Sequence, residues 1–343
     1  MNVGVIGGGG WGTTLALLLA SGGHTARLWV YEPELAERMR ATRENAPYLP
    51  GVRIPDGIGI TNSLAEAAAG AEALVLVTPS HALRATTQAL LREAPSPGAG
   101  GVGWIAVATK GLERGSLLRM SEVLAQVLPE AAARRVCVLA GPSHAEEVAR
   151  RIPTAVVAAS RDEKVARDVQ AAFSTDMFRV YTNDDVLGVE IAVALKNVIA
   201  IAAGICDGLG FGDSTKGALL TRGLVEMARL GERLGARPET FSGLAGMGDL
   251  IATAMSRHSR NRGLGEAIGR GQTLEQALAA TTMVVEGVGT AEAAVALAFR
   301  HGVEVPIAEQ VRAILYEGKS PKAAIRELLT RDLKAEPRSF AGR

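Results

Sequence analysis

The opening residues "VGVIGGGGWGTTLA" leave the chain few folds to choose from, because a short apolar strand runs straight into glycines and then a helix. Gly7, Gly9 and Gly12 have the spacing G-x-G-x-x-G. A turn that tight, feeding a helix, belongs to the first βαβ unit of a doubly wound sheet. The pattern that follows agrees. Near-continuous apolar runs at residues 3–6, 27–30, 74–77, 104–108, 137–140, 154–158 and 179–182 predict strands. Helical patterns at 13–21, 33–43 and 81–93 separate the earlier ones. Such alternation predicts a parallel sheet covered on both faces. From about residue 184 the strand signal stops, and Ala-rich helical patterns run nearly to the end, broken at "GLGFGD", "LAGMGDL" and "HGVEVP". The expected fold class is α/β plus all-α. A Rossmann-type doubly wound domain would occupy residues 1–184 and bind a dinucleotide. An all-helical substrate-binding and catalytic domain would occupy 185–343. The polar tail "KAEPRSFAGR" has no helical period and is expected to be loose.

Chemistry follows from the glycines. Gly7 permits the turn, Gly9 lets a pyrophosphate approach the backbone, and Gly12 lets helix and strand pack closely. The helix N-terminus then offers free N–H groups to phosphates. The expected cofactor is NAD or NADP. Glu32 ends the second strand and has two readings. It can bind a ribose 2′-hydroxyl, which would favour NAD, or it is an acid at the start of the helix that Pro33 opens. Ligands of such sheets gather beyond the carboxyl ends of strands, and three polar loops lie there. They are Thr78-Pro79-Ser80, Thr109-Lys110-Gly111 and Gly141-Pro142-Ser143-His144. Lys110 can reach an anionic ligand; its alternative is a solvated surface lysine. Ser143 can donate to a substrate hydroxyl or N-cap the helix starting near Ala145. His144, beside Glu146 and Glu147, is read as a solvated histidine in preference to an acid–base group.

The helical half opens on "VALKNVIAIAAGICDG", and between residues 186 and 206 only Glu190 and Lys196 are charged. The run is long enough to cross a bilayer, but Glu190 and the central Lys196-Asn197 argue against lipid exposure. No stable membrane insertion is expected. An ammonium taken out of water is costly unless it is paired or loses its proton, so Lys196 needs a purpose. Further on, Asp249 follows a Gly-Met-Gly turn, and Ser259, Arg260, Asn261 and Arg262 form a polar run. Arginine binds phosphate bidentately, so the run reads as a phosphate clamp or as an exposed basic helix start. Val284 and Glu286 stand at a glycine break, where a polar contact to a ribose or amide fits.

The totals exclude some partners. A formal net charge of +1 over 343 residues gives no case for nucleic acid. Cys137 and Cys206 lie in apolar segments without metal-ligand spacing, and the histidines form no visible cluster, so no metal is expected. Unpaired cysteines of this kind fit a reducing cytoplasm. The first strand begins at once, so no leader peptide is expected.

With these residues in view, the chain resembles the bacterial-type NAD(P)-dependent glycerol-3-phosphate dehydrogenases nearly end to end. The likeness rests on the glycine loop with Trp11, then "ATKGLE", "GPSHAEEV", "ALKNVIAIAAGICDGLGFG", "GMGDL", "SRNR" and "VVEG". The resemblance implies an active site in the cleft between a Rossmann-type and a helical domain. It implies interconversion of sn-glycerol 3-phosphate and dihydroxyacetone phosphate, feeding phospholipid synthesis in the cytoplasm. It makes Lys196 the proton donor and acceptor, and puts Lys110, Gly141, Ser143, Asp249, Ser259, Arg260 and Asn261 around the substrate. Gly10, Trp11, Ala145, Val284 and Glu286 would contact the cofactor, with Lys110 and Arg260 touching both ligands. Tyr31 stands where relatives often carry His or Arg near the adenine ribose, which bears on preference for a 2′-phosphate. Ala254 replaces a common Cys, and His144 a common Phe or Thr.

On this reading Lys196 protonates the alkoxide left by hydride transfer, with burial lowering its pKa toward neutrality. Asn197 and Asp249 would orient it, while Arg260 and Asn261 hold the phosphate. The expected partner is a small phosphorylated substrate, and a homodimer is compatible with the sequence. Two rivals stay open. A dehydrogenase for a 3-hydroxy acid or ketopantoate-like acid would want a carboxylate clamp in place of "SRNR". A non-catalytic nicotinamide-binding regulator would lack a catalytic lysine in the second domain.

Overall fold

Strand β1 (Asn2–Ile6) is buried from Val3 onward, since both faces of its apolar run are covered. It is followed in chain order by β2 (Thr25–Trp29), β3 (Glu44–Asn45), β4 (Leu49–Arg53), β5 (Gly59–Thr61), β6 (Ala73–Leu76), β7 (Trp104–Val107), β8 (Val136–Ala140), β9 (Thr154–Ala159) and β10 (Phe178–Asn183). The computed structural model describes residues 1–94, 101–281, 283–333 and 335–336. The polar tail lies outside the described residues, apart from 335 and 336.

Eight strands form one sheet in the order β10-β9-β8-β7-β6-β1-β2-β5, and β3 pairs with β4 in a separate hairpin. Every strand expected from the sequence is present, its ends displaced by at most two residues. The hairpin and β5 were not anticipated: β3 and β5, of two and three residues, are too short for alternation to register, and β4 carries Pro50 and Gly51 within its five residues. A second correction concerns direction. The sheet is parallel except at β8 and β9, which run antiparallel. Between them the chain forms only the short helix Ala145–Ala149. Five helical residues rise about 7.5 Å, less than half of the ~17 Å that a five-residue strand spans. So short a helix does not carry the chain back to the start of β8. Because β1 lies between β2 and β6, the order reverses there, and the glycine loop leaves β1 at that switch point.

These strands belong to the first of two units, which comprises Met1–Thr109 and Met120–Val186. The second unit takes residues from Leu187 onward together with Lys110–Arg119. That ten-residue excursion, read from the sequence as part of the first domain, joins the second because Leu112 is buried in its core. The long helix Val186–Gly208 is buried from Gly188 to Cys206 and forms the centre of the second unit. It is long and apolar enough to cross a membrane, yet 89% of its most apolar window is buried inside the protein. The helix Arg260–Gly269 crosses it closely. A Cβ at Gly265 would collide with the Ile201 carbonyl, and one at Gly204 with that of Arg262. Glycine at both positions lets the two backbones touch, which brings Asn261 up against Asn197.

Candidate active site

At the end of β1 the Gly7 backbone has φ +136°, and a Cβ there would stand 2.7 Å from the Val77 carbonyl oxygen. Only glycine closes this turn. Around Gly9 the situation is the opposite: nothing lies within 4 Å of the place its Cβ would occupy. Gly9 is the N-cap of the helix Gly10–Ser21, which has no side-chain cap, so open space meets free N–H groups. Gly10 and Gly12 are closed in, by the carbonyls of Tyr48 and Gly7. The hairpin holds the loop from the other side, as Asn45 Nδ2 donates to the Gly8 carbonyl and to Thr13 Oγ1, each at 2.8 Å. Asn45 Oδ1, Trp11 Nε1 and Thr78 Oγ1 are buried without a hydrogen-bond partner. Buried polar atoms are normally satisfied, so three orphans by one loop fit a polar ligand such as a dinucleotide.

Glu32 occupies the N-cap of the helix Pro33–Thr42 without a side-chain cap, and its Oε1 accepts from the Tyr48 hydroxyl at 3.3 Å. Tyr31 is 76% exposed and meets Trp29 edge-on. Ser143 donates to the Gly141 carbonyl at 3.2 Å. It does not cap the helix at Ala145; His144 holds the N-cap position. The Ala145 carbonyl accepts from Thr14 Oγ1 at 3.2 Å, tying that short helix to the glycine-loop helix.

In the second unit Lys196 lies midway along the core helix and is 5% exposed. Its Nζ donates to Thr253 Oγ1 at 2.7 Å and to Asp249 Oδ1 at 3.2 Å. Lys110 Nζ donates to the other oxygen, Asp249 Oδ2, at 2.9 Å. Asp249 opens the helix Asp249–Met255 directly after a π-helical turn, Leu244–Gly248, which sets where that helix starts. Burial pushes the Lys196 pKa down to about 8; Asp249 pulls it up, while Lys110 and Arg260 press it lower. Burial would raise the Asp249 carboxyl, but Lys110 and Lys196 outweigh it and hold the group below its ordinary value. The result is an ammonium that gives up its proton readily beside a carboxylate that stays ionised.

Asn197 faces elsewhere. Its Nδ2 donates to the Val193 carbonyl, and its Oδ1 accepts from Asn261 Nδ2 at 2.9 Å. Asn261 Oδ1 in turn accepts from the Gly287 N–H at 2.9 Å. Adjacent helix residues point about 100° apart, so the neighbour expected to orient Lys196 instead ties Asn261 to the helix Glu286–His301. Ser259 N-caps the helix Arg260–Gly269 by accepting from the Arg262 N–H at 3.2 Å. Arg260 is exposed and donates to the Val284 carbonyl at 2.8 Å. Arg262 turns away to Asp207, 2.7 Å, and Glu266, 3.2 Å, so the two guanidiniums of "SRNR" do not converge. Val284 is 37% exposed, and Glu286 starts the next helix.

Sequence reading missed Thr253 and Asn45. Thr253 is one turn past Asp249, a spacing that puts side chains on one helix face. Asn45 gave no signal, since its strand has two residues. Among the described residues no group of three or more His, Cys, Asp or Glu could hold a metal.

A model of the NAD-dependent glycerol-3-phosphate dehydrogenase N-terminus matches residues 2–166, and one of the C-terminus of the same family matches 185–326. The glycerol-3-phosphate dehydrogenases (NAD(P)+) of Geobacter metallireducens and Geobacter sulfurreducens are 54% and 55% identical to this chain, over 98% of its length and 98% of theirs. The crystal structure of glycerol-3-phosphate dehydrogenase from Coxiella burnetii has a TM-score of 0.90 at 39% identity, covering 96% of this chain and 99% of that one. A ketopantoate reductase from Ralstonia eutropha, with a TM-score of 0.60 at 15% identity over 95% of this chain and 100% of its own, shares the fold alone. The two family models and relatives of more than half identity make this chain a member of the NAD-dependent glycerol-3-phosphate dehydrogenase family, an oxidoreductase that works with NAD(P).

Proposed function

We propose that the chain interconverts sn-glycerol 3-phosphate and dihydroxyacetone phosphate, with Lys196 as proton donor and acceptor. The observation that carries this reading is a lysine buried midway along an apolar helix and bonded to a carboxylate that a second lysine shares, where burial lowers its pKa to about 8. Asp249 and Thr253 fix its position. Bound NAD(P)H supplies the hydride that the ketone carbon receives. Negative charge then grows on the carbonyl oxygen, and Lys196 stabilises it and donates the proton that completes the alcohol. In oxidation the neutral amine takes that proton back. Lys110 stays on Asp249 whichever form Lys196 takes, and the neutral amine keeps N–H groups to donate to Asp249 and Thr253.

The phosphate end is assigned to Lys110 and Arg260, supported by their charge and by the electrostatic pressure both exert on Lys196. Ser259 and Asn261 would contribute through the capped start of the helix that carries Arg260, where backbone N–H groups favour an anion. Gly141 and Ser143 complete the proposed substrate shell. Binding energy from this non-reacting end would position the carbonyl. For the cofactor, Gly7, Gly9, Gly10, Trp11 and Gly12 would take the pyrophosphate, and Tyr31 and Glu32 the adenine ribose. Ala145, Val284 and Glu286 would add further contacts, as would Lys110 and Arg260. In the cell we assign the enzyme to the cytoplasm, supplying glycerol 3-phosphate for phospholipid synthesis. Family resemblance supports that last step.

The test is NADH and NADPH oxidation with dihydroxyacetone phosphate, pyruvate and ketopantoate offered side by side. Turnover is expected with dihydroxyacetone phosphate. Comparable rates on either acid would overturn the assignment.

A further inference from the structure

Residues 110–119 reach the second unit as a closed loop, and its fastening decides where Lys110 stands. Leu112 and Arg119 face each other in an antiparallel bridge, and the Glu113 N–H donates to the Leu118 carbonyl at 2.9 Å. The turn between them passes through left-handed backbone at Gly115 and Leu117. One stem is anchored by Leu112 in the core of the second unit. The other ends on Arg119, whose Nη1 lies 2.6 Å from Glu190 Oε2, with side chains only 9% and 4% exposed. Glu190 and Lys196 share the helix Val186–Gly208, six residues apart, which is about 9 Å of rise. One helix therefore carries Lys196 and also the anchor of the loop that delivers Lys110. Both ammoniums end on Asp249.

We propose that the Arg119–Glu190 pair is a positioning device for the reaction: it fixes Lys110 against Asp249 and, through that carboxylate, fixes Lys196. A buried ion pair is a weak source of stability, because desolvation offsets much of the attraction. What it does supply is a directional constraint. A further ion pair of the loop, Arg114–Glu292, is exposed on both sides and contributes little hold. The groups facing Lys196 are Asp249, Thr253, Lys110 and Arg260. If Lys110 drifts from Asp249, Lys196 loses a like charge and gains a larger share of the carboxylate. Its proton is then held more tightly.

The inference rests on the proposed roles of Lys196 and Lys110, and the experiment separates the two layers. In the double variant Arg119→Leu/Glu190→Leu both charges leave together, so neither is stranded. The expected result is a folded protein whose thermal midpoint is little changed, with NADH affinity lowered at most modestly through the Lys110 contact. Its KM for glycerol 3-phosphate should rise roughly tenfold or more, as for a misplaced binding group. The pH midpoint of kcat/KM should move to the alkaline side. Unchanged KM and pH midpoint would overturn the proposal. So would a parallel loss of NADH affinity, substrate affinity and thermal midpoint, which would mark plain structural support. Should the double variant not fold, Arg119→Lys keeps the pair charged with a shorter, less directional group. The same two shifts are expected there in smaller size, and their absence would be equally decisive against the pair. Lys196→Met, assayed alongside, reports on the underlying reading. If that variant turns over normally, it is the assignment of Lys196 that fails.

Discussion

Lys110 and Lys196 are bound to opposite oxygens of one buried carboxylate, at 2.9 Å and 3.2 Å from Asp249. Two ammoniums on one anion leave the cluster with surplus positive charge, and Arg260 adds to the field at Lys196. A phosphorylated substrate offers the missing negative charge. The arrangement also explains why Asp249 can stay ionised while it is only 2% exposed: removing either cation would leave it less compensated.

The two directions of the reaction should answer to pH with opposite sign. On the proposed mechanism, reduction needs the Lys196 ammonium, so its kcat/KM, which reports the ligand-free enzyme, should fall as pH rises through about 8. Oxidation needs the neutral amine, so its kcat/KM should rise through the same region and level off. Stability follows the same group. Its folded pKa lies below its ordinary value of 10.5, so between about 8 and 10.5 the unfolded chain holds more protons. From this group alone, stability rises with pH across that window. Matched pH profiles of both reactions check the assignment, and parallel profiles would count against it.

Much of this was legible in the sequence, and what was not has physical reasons. Strands such as β1 and β6 stand out because both faces are buried, leaving unbroken apolar runs. Lys196 stands out for the same cause, as a charge in a run with almost no others. Arg260 and Arg262 look equivalent in a linear text. On a helix they point about 200° apart, which sends one to Val284 and the other to Asp207. The Arg119–Glu190 pair joins positions 71 apart, and no local pattern encodes it.

Arg260→Ala should damage use of the phosphorylated substrate more than it damages turnover at saturation. A hydrogen bond to a charged group contributes about 1.5–3 kcal/mol, so KM for glycerol 3-phosphate should rise by roughly ten- to a hundredfold. The loss of the contact to the Val284 carbonyl should add a smaller effect on NADH binding. Unchanged KM would reduce the residue to a solvated helix start.

NADH should serve as cofactor, with any NADPH preference modest. Glu32 carries its carboxylate beside Tyr48, and Tyr31 brings no positive charge to a 2′-phosphate. Comparison of kcat/KM for the two cofactors checks this. A preference for NADPH of about a hundredfold, close to ~2.7 kcal/mol, would show that Glu32 does not face the ribose.

Glu226 should matter to stability without touching catalysis. It is 4% exposed, and its two oxygens accept from the N–H groups of Ile307 and Ala308, each at 2.9 Å, capping the helix Pro306–Tyr316. Glu226→Gln turns an amide N–H toward one of those donors and should cost about 1–3 kcal/mol. Burial raises the carboxyl from 4.5 to about 7, so the folded chain holds an extra proton between those values. This group's stabilisation is then complete below about 4.5 and lost as pH rises through about 7. Thermal midpoints across that range should show the slope in the parent and not in the variant.

Lys196→Met is the most direct test of the mechanism. Methionine keeps the unbranched shape and removes a buried charge, which on the sequence alone would hold or even raise stability. The contacts change that expectation. Lys196 is a partner of Asp249, and its loss leaves the carboxylate to Lys110 and Thr253. Breaking a buried pair outright costs about 3–5 kcal/mol, and the surviving Lys110 bond should keep the loss below that range. A moderate fall in thermal midpoint is therefore expected, with the protein still folded and still binding NADH through the first unit. Turnover should drop much further, by about 10²–10⁴-fold, the usual contribution of a general acid–base group. The two effects are separable on one preparation, because stability loss scales the folded fraction while loss of the proton donor scales kcat of what remains folded. Lys196→Met with Asp249→Asn removes the under-compensated carboxylate as well, leaves Lys110 facing an amide, and should recover part of the thermal midpoint without recovering turnover. If turnover returned with stability, Lys196 would be an ion-pair partner and the proton would have to come from another group.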